Sequence, residues 1–367
     1  HLHDLAFQKY CYEGAGLKIR KCFLMHIDNT YVRHGEVDAE KLFVRTEVTD
    51  EVKELMPNVS KNVRAMWEVI ALKKCPEIEL GSYCPDDYGV HTNDKFWKDH
   101  PDCNVLDLVR GGEKSVGLFN KGFLRLMDIP KDVEVNGKQA IQIECDKTGG
   151  IHISERGLKS FTEQLHYPLH FLDFETFSTA VPLIDGTRPY QQVPFQFSLF
   201  VVAEEGAKPA HHQFIFEGTG DPREKFVEAL KGSIQDKGSI LVYYASFEKS
   251  RLNEIAESFP KYSKWVSGLM PRIVDLYSPF SSFAYYNPVQ KGSTSIKVVL
   301  PAVTGKDYSD LEIKGGETAS IEYLRMMNDK NMTAAEKKKL LHALEEYCKR
   351  DTEGMIWILE KIKIMAG

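Results

Sequence analysis

The first half of the chain shows hydrophobic periodicities of two kinds. Apolar residues recur at helical spacing over residues 4–16 and again over residues 47–73, so each segment predicts a helix. Residues 17–33 alternate between apolar and polar positions, which predicts a strand or a hairpin. Residues 75–110 carry no clear period, and residues 135–138 have the composition of a small hairpin turn. This half therefore predicts a smaller α+β or mainly helical region.

The second half contains short apolar runs typical of strands and amphipathic runs typical of helices. Strands are predicted at 170–176, 195–203, 212–217, 239–244 and 273–277, and helices at 222–231, 248–258 and 334–363, with a long and partly irregular stretch before the last helix. The last helix is preceded by Thr333 and Glu336 at the spacing of a capping box. Strands first, and then strand and helix in alternation, predict an α/β fold with a mixed sheet flanked by helices. We expect its boundary near residues 160–168.

The composition is that of a globular protein, since 43% of the 367 residues are hydrophobic and 27% are charged. This excludes disordered, collagen-like and disulfide-scaffold chains. The net charge of −6 means that nucleic-acid binding would need a local basic groove or a bound metal. The seven cysteines are scattered and odd in number, which favours reduced thiols and a cytoplasmic protein. No apolar run approaches the ~18 residues of a membrane span, and the N-terminus lacks the layout of a signal peptide.

Two acids lie in the otherwise apolar strand predicted at residues 170–176. Asp173 and Glu175 are two residues apart, so their side chains project from the same face of a strand. Two neighbouring carboxylates repel each other and resist burial, and a hard divalent cation between them removes both difficulties. The alternative is that both acids are simply solvated at the end of a strand.

The last predicted helix carries an acid within its apolar stripe. Asp351 stands between Leu344 and Met355, where an apolar residue would fit better, and Tyr347 precedes it by four residues on the same face. A carboxylate on a core-facing stripe needs a partner, which is either a structural Arg or Lys or a metal ion. The Tyr-x-x-x-Asp spacing alone does not distinguish a capped buried aspartate from a metal ligand.

A third acid follows the strand predicted at residues 239–244. Glu248 lies where that strand gives way to a helix, so it is either a further metal ligand or a favourable charge behind an N-cap at Ser246. Asp275 lies in the next apolar strand and is a second candidate for the same role. The order of these acids along the chain is more informative about function than any single acid.

That order resembles the DEDD exonucleases, a superfamily with a ribonuclease-H-like fold that includes the DnaQ-type proofreading enzymes. Tyr347-x-x-x-Asp351 is similar to the motif of its tyrosine subclass. Residues 168–360 look more specifically like an uncharacterised bacterial domain family of this superfamily, with its phrases at 171–176, 186–192, 245–248 and 292–297. One departure is Glu248, because the wider superfamily has aspartate in its second motif. Whether Glu248 or Asp275 is the third carboxylate stays open, and we favour Glu248.

The resemblance implies a two-metal mechanism. Asp173, Glu175, Glu248 and Asp351 would hold two Mg²⁺ or Mn²⁺ ions about 3.5–4 Å apart, one activating a water and the other stabilising the leaving 3′ oxygen. Tyr347 would orient the attacking water. The product would be a nucleoside monophosphate released from a 3′ end.

Several further residues are candidates for contact with the nucleic acid. Arg188 and Lys297 would contact phosphates, and Tyr190, Gln191 and Gln192 would line the substrate groove. Each has a structural alternative: Arg188 would pair with a surface acid, Lys297 would be a solvated loop residue, and Tyr190 would belong to the core.

The N-terminal segment carries a second, shorter resemblance. Gln8-x-x-x-Tyr12 on a helix, followed by the strand pattern of residues 25–33, resembles the tail of a RecB-type PD-(D/E)XK nuclease domain. The Asp and Glu-x-Lys motifs of that family would precede Gln8. We therefore expect a fragment of a longer protein, and we do not expect this segment to cleave nucleic acid by that route.

Relatives of the RecB type often hold an iron–sulfur cluster on four cysteines. Here Cys75, Cys84 and Cys103 lie near one another in sequence, but no C-x-x-C run accompanies them. An iron–sulfur cluster is therefore not expected, and a zinc site that uses His91 is no better supported. Loop or buried cysteines are the simpler interpretation.

We therefore expect residues 166–367 to form a ribonuclease-H-like domain. It would be a metal-dependent 3′–5′ exonuclease acting on DNA or RNA, with a single-stranded 3′ end as substrate. Residues 1–35 would be the truncated tail of the RecB-like domain, and residues 36–165 a mainly helical and irregular linking region. The alternative is a catalytically inactive nucleic-acid-binding or scaffolding module, with any activity in an upstream nuclease. The sequence predicts neither protein partners nor an oligomeric state.

Overall fold

A computed structural model describes residues 1–74 and 101–367. The described residues divide into two compact units, one of residues 1–74 with Ser178–Gln191 and one of residues 101–177 with Gln192–Gly367. The boundaries of these two units differ from those of the three segments predicted from the sequence. The predicted domain boundaries therefore stay predictions. The acids singled out in the sequence all belong to the second unit.

The helices and strands are numbered in chain order over the described residues. The helices are α1 (Leu2–Gly14), α2 (Ala39–Leu42), α3 (Thr49–Ile70), α4 (Glu113–Asn120), α5 (Gly137–Thr148), α6 (Glu155–Thr162), α7 (Arg223–Ser233), α8 (Ser246–Ser258), α9 (Ser263–Leu269), α10 (Ser278–Ser281), α11 (Ile296–Thr304), α12 (Gly316–Asn328) and α13 (Ala334–Ala366). The strands are β1 (Phe23–Ile27), β2 (Phe43–Glu47), β3 (His152–Ile153), β4 (Leu169–Phe177), β5 (Val193–Val202), β6 (Ala210–Ile215), β7 (Ile240–Val242), β8 (Ile273–Asp275) and β9 (Tyr285–Tyr286).

The first unit is built on two helices and one antiparallel strand pair. Helices α1 and α3 pack together around a small apolar core that includes Ala6, Val52 and Val59. Strands β1 and β2 pair antiparallel. The two predicted helices are confirmed, as is a strand within the alternating segment, because the periodic apolar positions bury one face of each element.

A five-stranded sheet organises the second unit, in the order β6-β5-β4-β7-β8. Strand β4 pairs antiparallel with β5 and parallel with β7, so the sheet is mixed. Strand β4 is hydrogen-bonded to a neighbour on each side and both of its faces are covered, so it is buried along almost its whole length. This confirms the predicted fold class, an α/β fold with a mixed sheet flanked by helices.

Different helices cover the two faces of β4. Phe226 of α7 and Ile255 of α8 contribute to the hydrophobic core on one side. The long helix α13 and helix α12 pack against β4, and α11 packs against α13. Helix α13 confirms the predicted last helix, and its N-terminus has the predicted capping box, in which Thr333 and Glu336 satisfy each other's backbone N–H groups.

The hairpin predicted at residues 135–138 is wrong, because helix α5 begins there. The side chain of Asn136 accepts hydrogen bonds from the backbone N–H groups of Lys138 and Gln139, at 3.0 Å each. The side chain of Gln139 accepts from the N–H of Asn136 in return. An Asn-Gly pair suits a tight turn and a helix start equally well, and this reciprocal cap decides for the helix.

The described cysteines Cys11, Cys22, Cys103, Cys145 and Cys348 are free thiols. The other residues considered for a cluster or a zinc site, Cys75, Cys84 and His91, lie outside the described residues. Among the helices that the structure describes, none combines the length and the apolar character that a membrane span requires.

Candidate metal centre

Strand β4 presents its two acids on one face. Leu172 and Phe174 lie on the opposite face and belong to the hydrophobic core under α7 and α8. Asp173 and Glu175 face α13, and each offers an oxygen within 4.8 Å of the Cys348 sulfur. Glu175 is buried and Asp173 is partly buried. Two carboxylates therefore meet the same helix with little solvent around them.

Helix α13 contributes the next group of side chains. Tyr347, Cys348 and Asp351 are all buried, within the stripe of α13 that packs on the sheet. Tyr308, from the loop between α11 and α12, donates a hydrogen bond from its hydroxyl to Asp351 Oδ1. The acid that interrupts the apolar stripe is thus held by a hydroxyl beside the carboxylates of β4.

Asp275 is fully engaged in holding the backbone at the end of β7. Its Oδ1 accepts hydrogen bonds from the backbone N–H groups of Tyr244 at 2.9 Å and Tyr277 at 3.0 Å. Its Oδ2 accepts from the N–H of Ala245 at 3.0 Å. Both oxygens therefore brace the junction between β7 and α8, which is a structural role.

Glu248 is in the opposite situation. The residue is 2% exposed, and within the described part of the chain its Oε2 has no hydrogen-bond partner. Its charge is one of those that raise the pKa of Asp173. Of the two acids left open by the sequence, Glu248 is therefore the one with a buried carboxylate oxygen that no hydrogen bond occupies among the described residues.

Burial and mutual repulsion raise the pKa values of these carboxyl groups. Burial raises the pKa of Asp173 well above its usual value, and the charges of Asp351, Glu175 and Glu248 add to this. Burial also raises the pKa of Glu175 to about 8, with a contribution from Asp351, and the pKa of Glu248 to about 8. A cation placed among these groups would favour their ionised forms and lower the pKa values again.

Lys297, in the first turn of α11, brings a positive charge to the site. Its charge lowers the pKa of both Glu175 and Asp351. Its Nζ lies 5.2 Å from the centroid of the Tyr347 ring. Together with the hydrogen bond from Tyr308, this charge limits the pKa of the buried Asp351 to about 6. The structure thus places one predicted substrate-binding residue beside the carboxylates.

Helix α12 begins at the site with two glycines. A Cβ atom at Gly316 would lie 3.6 Å from Glu175 Oε2 and 3.9 Å from the Tyr347 hydroxyl. A Cβ atom at Gly315 would lie 3.4 Å from Lys297 Nζ. A Cβ atom at either position would therefore be in van der Waals contact with the carboxylate, the tyrosine or the lysine of the site.

The other predicted substrate-binding residues are divided between the two units. Gln192 belongs to the second unit, where its Oε1 accepts a hydrogen bond from the Thr176 hydroxyl at 2.7 Å. Arg188, Tyr190 and Gln191 belong to the first unit. The backbone N–H of Arg188 donates to Gln191 Oε1 at 3.0 Å, and the Tyr190 side chain is exposed rather than part of the core.

Sequence reasoning missed three residues of the site: Tyr308, Gly316 and Cys348. Cys348 had a signal, because it lies between Tyr347 and Asp351 in the same buried stripe. Gly316 had a weaker one, as half of a glycine pair before an amphipathic segment. Tyr308 had none, because it lies 43 residues before Asp351 and reaches it only through the packing of a loop.

The donor set suits a hard divalent cation. Asp173, Glu175, Glu248 and Asp351 offer carboxylate oxygens, the ligands that Mg²⁺ and Mn²⁺ prefer. The buried Oε2 of Glu248, without a partner among the described residues, is costly to desolvate and is the kind of atom that a bound cation satisfies. The residues therefore fit the ions that the resemblance implies.

The Tyr308→Phe variant is expected to bind Mn²⁺ about tenfold more weakly than the wild type. The variant loses the hydroxyl that orients Asp351 and stabilises its ionised form, and removing such a supporting hydrogen bond typically costs 10–100-fold in metal affinity. Isothermal titration calorimetry at neutral pH measures the difference. Tyr285→Phe is the matched control, because its buried hydroxyl donates to the backbone carbonyl of Ala302 instead. Equal affinities in the two variants would contradict this role of Tyr308.

Comparison with known protein families gives a match that lies largely in the second half of the chain. The model of a domain of unknown function (DUF2779) matches residues 170–295. This range contains Asp173, Glu175 and Glu248 and ends before Tyr347 and Asp351. No solved structure gives a significant match to the chain.

Similar curated proteins come from Mycoplasma and Ureaplasma species and are described as uncharacterised. The MG366 homologue of Mycoplasma pneumoniae is 29% identical over 265 residues, which cover 65% of this chain and 39% of that protein. MG366 of Mycoplasma genitalium is 27% identical over an alignment of 390 residues, which covers 91% of this chain and 57% of that protein. UU173 of Ureaplasma parvum is 26% identical over 239 residues, which cover 59% of this chain and 34% of that protein. The chain thus spans between about a third and just over half of the length of these relatives.

Proposed function

We propose that this chain is a divalent-metal-dependent nuclease that hydrolyses the phosphodiester bonds of DNA or RNA from a 3′ end. The observation that carries the proposal is the convergence of four carboxylates, Asp173, Glu175, Glu248 and Asp351, in a setting that raises the pKa of each. Such a cluster is unfavourable for folding unless a cation binds there. Clusters of this kind with strongly shifted pKa values are typical of functional sites.

Each side chain has a distinct part in the proposed reaction. The four carboxylates would hold Mg²⁺ or Mn²⁺, which when bound supplies Lewis-acid chemistry to an attacking water and to the leaving 3′ oxygen. Burial and the nearby acids raise the pKa of the Tyr347 hydroxyl far above its usual value. Tyr347 therefore stays protonated, and it orients a water by hydrogen bonding rather than removing its proton. Lys297 offers positive charge to the phosphate.

The nucleic-acid substrate and the 3′–5′ direction come from the resemblance to the DEDD exonucleases. The order of the acids along the chain supports it, as does the placement of Tyr347 and Asp351 on one face of a late helix. Glu248 supplies a carboxylate one methylene longer than the aspartate of the wider superfamily. We further propose a cytoplasmic location, because the described cysteines are free thiols.

The test is the shortening of 5′-labelled single-stranded DNA and RNA oligomers by the wild-type chain in Mn²⁺. We expect stepwise loss of nucleotides from the 3′ end, and no loss when EDTA removes the metal. Oligomers that differ only in a blocked 3′ terminus are expected to resist. Failure to shorten either polymer would contradict the proposal, and binding without shortening would favour the inactive module.

A further inference from the structure

The centre contains a thiol for which the proposed nuclease reaction has no use. Cys348 is fully buried, and its Sγ lies 3.8 Å from Asp173 Oδ2 and 3.9 Å from the Asp173 carbonyl oxygen. The sulfur, one oxygen of Asp173 and one oxygen of Glu175 all lie within 4.8 Å of one another. This arrangement offers a mixed sulfur and oxygen ligand set in addition to the all-oxygen one.

We propose that Asp173, Glu175 and Cys348 bind Zn²⁺, with the Cys348 sulfur as a ligand. Zn²⁺ accepts both thiolate and carboxylate ligands and prefers tetrahedral geometry, with Zn–S distances of about 2.3 Å and Zn–O distances of about 2.0 Å. Tetrahedral ligands at these distances place sulfur and oxygen about 3.5 Å apart. The observed 3.8 Å between Cys348 Sγ and Asp173 Oδ2 is within a few tenths of an ångström of that value.

Glu248 is an independent sign that a ligand belongs at this place. It is 98% buried, and among the described residues its Oε2 meets no hydrogen-bond donor. Its charge raises the pKa of Asp173, so the field of its carboxylate reaches the proposed ligands.

Binding exchanges protons for the metal ion, because Asp173 and Glu175 have raised pKa values and, like the thiol, release to solvent any proton they hold as they bind zinc. A sulfur–zinc bond forms as the S–H bond of Cys348 breaks, and the proton leaves to solvent. Before binding, burial and the adjacent acids raise the pKa of the thiol, so it remains protonated. This inference concerns metal binding, and it does not depend on hydrolysis at the same site.

Co²⁺ is the probe, because it occupies tetrahedral zinc sites and shows a sulfur-to-cobalt charge-transfer band only when a thiolate is bound. The background protein carries serine at Cys11, Cys75 and Cys84, which removes one exposed thiol and two that lie outside the described residues. Cys348→Ser is compared in that background with Cys145→Ser, which replaces another buried thiol.

We expect the background protein and Cys145→Ser to show the band, with one equivalent of Zn²⁺ displacing it. Cys348→Ser is expected to lose the band and to bind Zn²⁺ at least about tenfold more weakly. Absence of the band in the background protein, or an undiminished band in Cys348→Ser, would overturn the proposal. Circular dichroism checks that each variant folds. If Cys348→Ser fails to fold, Asp173→Asn replaces it in the experiment. We expect Asp173→Asn to bind Zn²⁺ about tenfold more weakly, and an unchanged Zn²⁺ affinity would overturn the proposal. A chain that binds Co²⁺ through sulfur but does not shorten nucleic acid would support this inference and contradict the proposed nuclease function.

Discussion

The Asp173→Asn variant is expected to release nucleotides at least about 10³-fold more slowly than the wild type in Mn²⁺. The amide keeps the size of the side chain but removes the charge that faces Glu175 and Cys348. Metal ions contribute several kcal/mol of transition-state stabilisation, and about 4 kcal/mol corresponds to a factor of about 10³ in rate. Initial rates on 5′-labelled single-stranded DNA at equal Mn²⁺ concentration measure the effect.

The same substitution at an exposed acid is the control for this prediction. Asp236 is exposed and lies outside the site, so Asp236→Asn is expected to keep the wild-type rate. An Asp173→Asn variant that retains a tenth or more of the wild-type rate would show that Asp173 does not hold the catalytic metal.

The loss of activity in Asp173→Asn is not expected to come from unfolding. In EDTA the variant should melt about 2–4 °C higher than the wild type, because burial raises the pKa of Asp173 and the wild type must take up a proton there on folding, whereas the amide needs none. Added Mn²⁺ stabilises the folded wild type by mass action and should stabilise the variant much less. Differential scanning calorimetry with and without metal measures both shifts.

The free energy of unfolding of the metal-free protein is expected to fall as the pH rises from about 5 to about 8. The carboxyl groups of Glu175 and Glu248 have pKa values of about 8 in the folded chain, against an ordinary value of 4.5. Between these values the unfolded chain has released both protons and the folded chain still holds them. The unfolded state then binds fewer protons, so stability decreases with pH in this window and levels off above it.

A comparison with Glu248→Gln isolates one group from the rest of the chain. The variant cannot ionise at this position, so its stability relative to the wild type should increase between pH 5 and pH 8, by on the order of a few kcal/mol. Excess Mn²⁺ should remove or reverse the decline in the wild type, because the ion favours the ionised carboxylates. Urea unfolding at each pH measures the free energy of unfolding of the two proteins. If this free energy changed with pH in the same way in both, the result would contradict the raised pKa of Glu248.

The sheet and the long helices were predictable because their apolar positions repeat. Strand β4 and helix α13 follow directly from the periods of residues 170–176 and 334–363. Helices α11 and α12 were not predicted, because Pro301 lies inside one and the Gly315–Gly316 pair opens the other, and both features are typical of helix breaks. These two helices pack against α13 and β4, and the local sequence alone does not reveal such contacts.

The site was predictable only where a charge broke an apolar pattern. Asp173, Glu175 and Asp351 stand out for that reason. The choice between Glu248 and Asp275 was not decidable from sequence, because both acids follow apolar strands. Hydrogen bonds favour Glu248 in our proposal, since backbone N–H groups occupy both oxygens of Asp275, whereas Glu248 Oε2 meets no donor among the described residues.

The anomalous scattering of crystals grown with Mn²⁺ tests the metal centre most directly. We expect two anomalous peaks from Mn²⁺ ions that are bound by oxygens of Asp173, Glu175, Glu248 and Asp351. Crystals of Asp173→Asn should show no peak at this place. Wild-type crystals in excess Mn²⁺ with no peak among these carboxylates would contradict the assignment of this cluster as a metal centre.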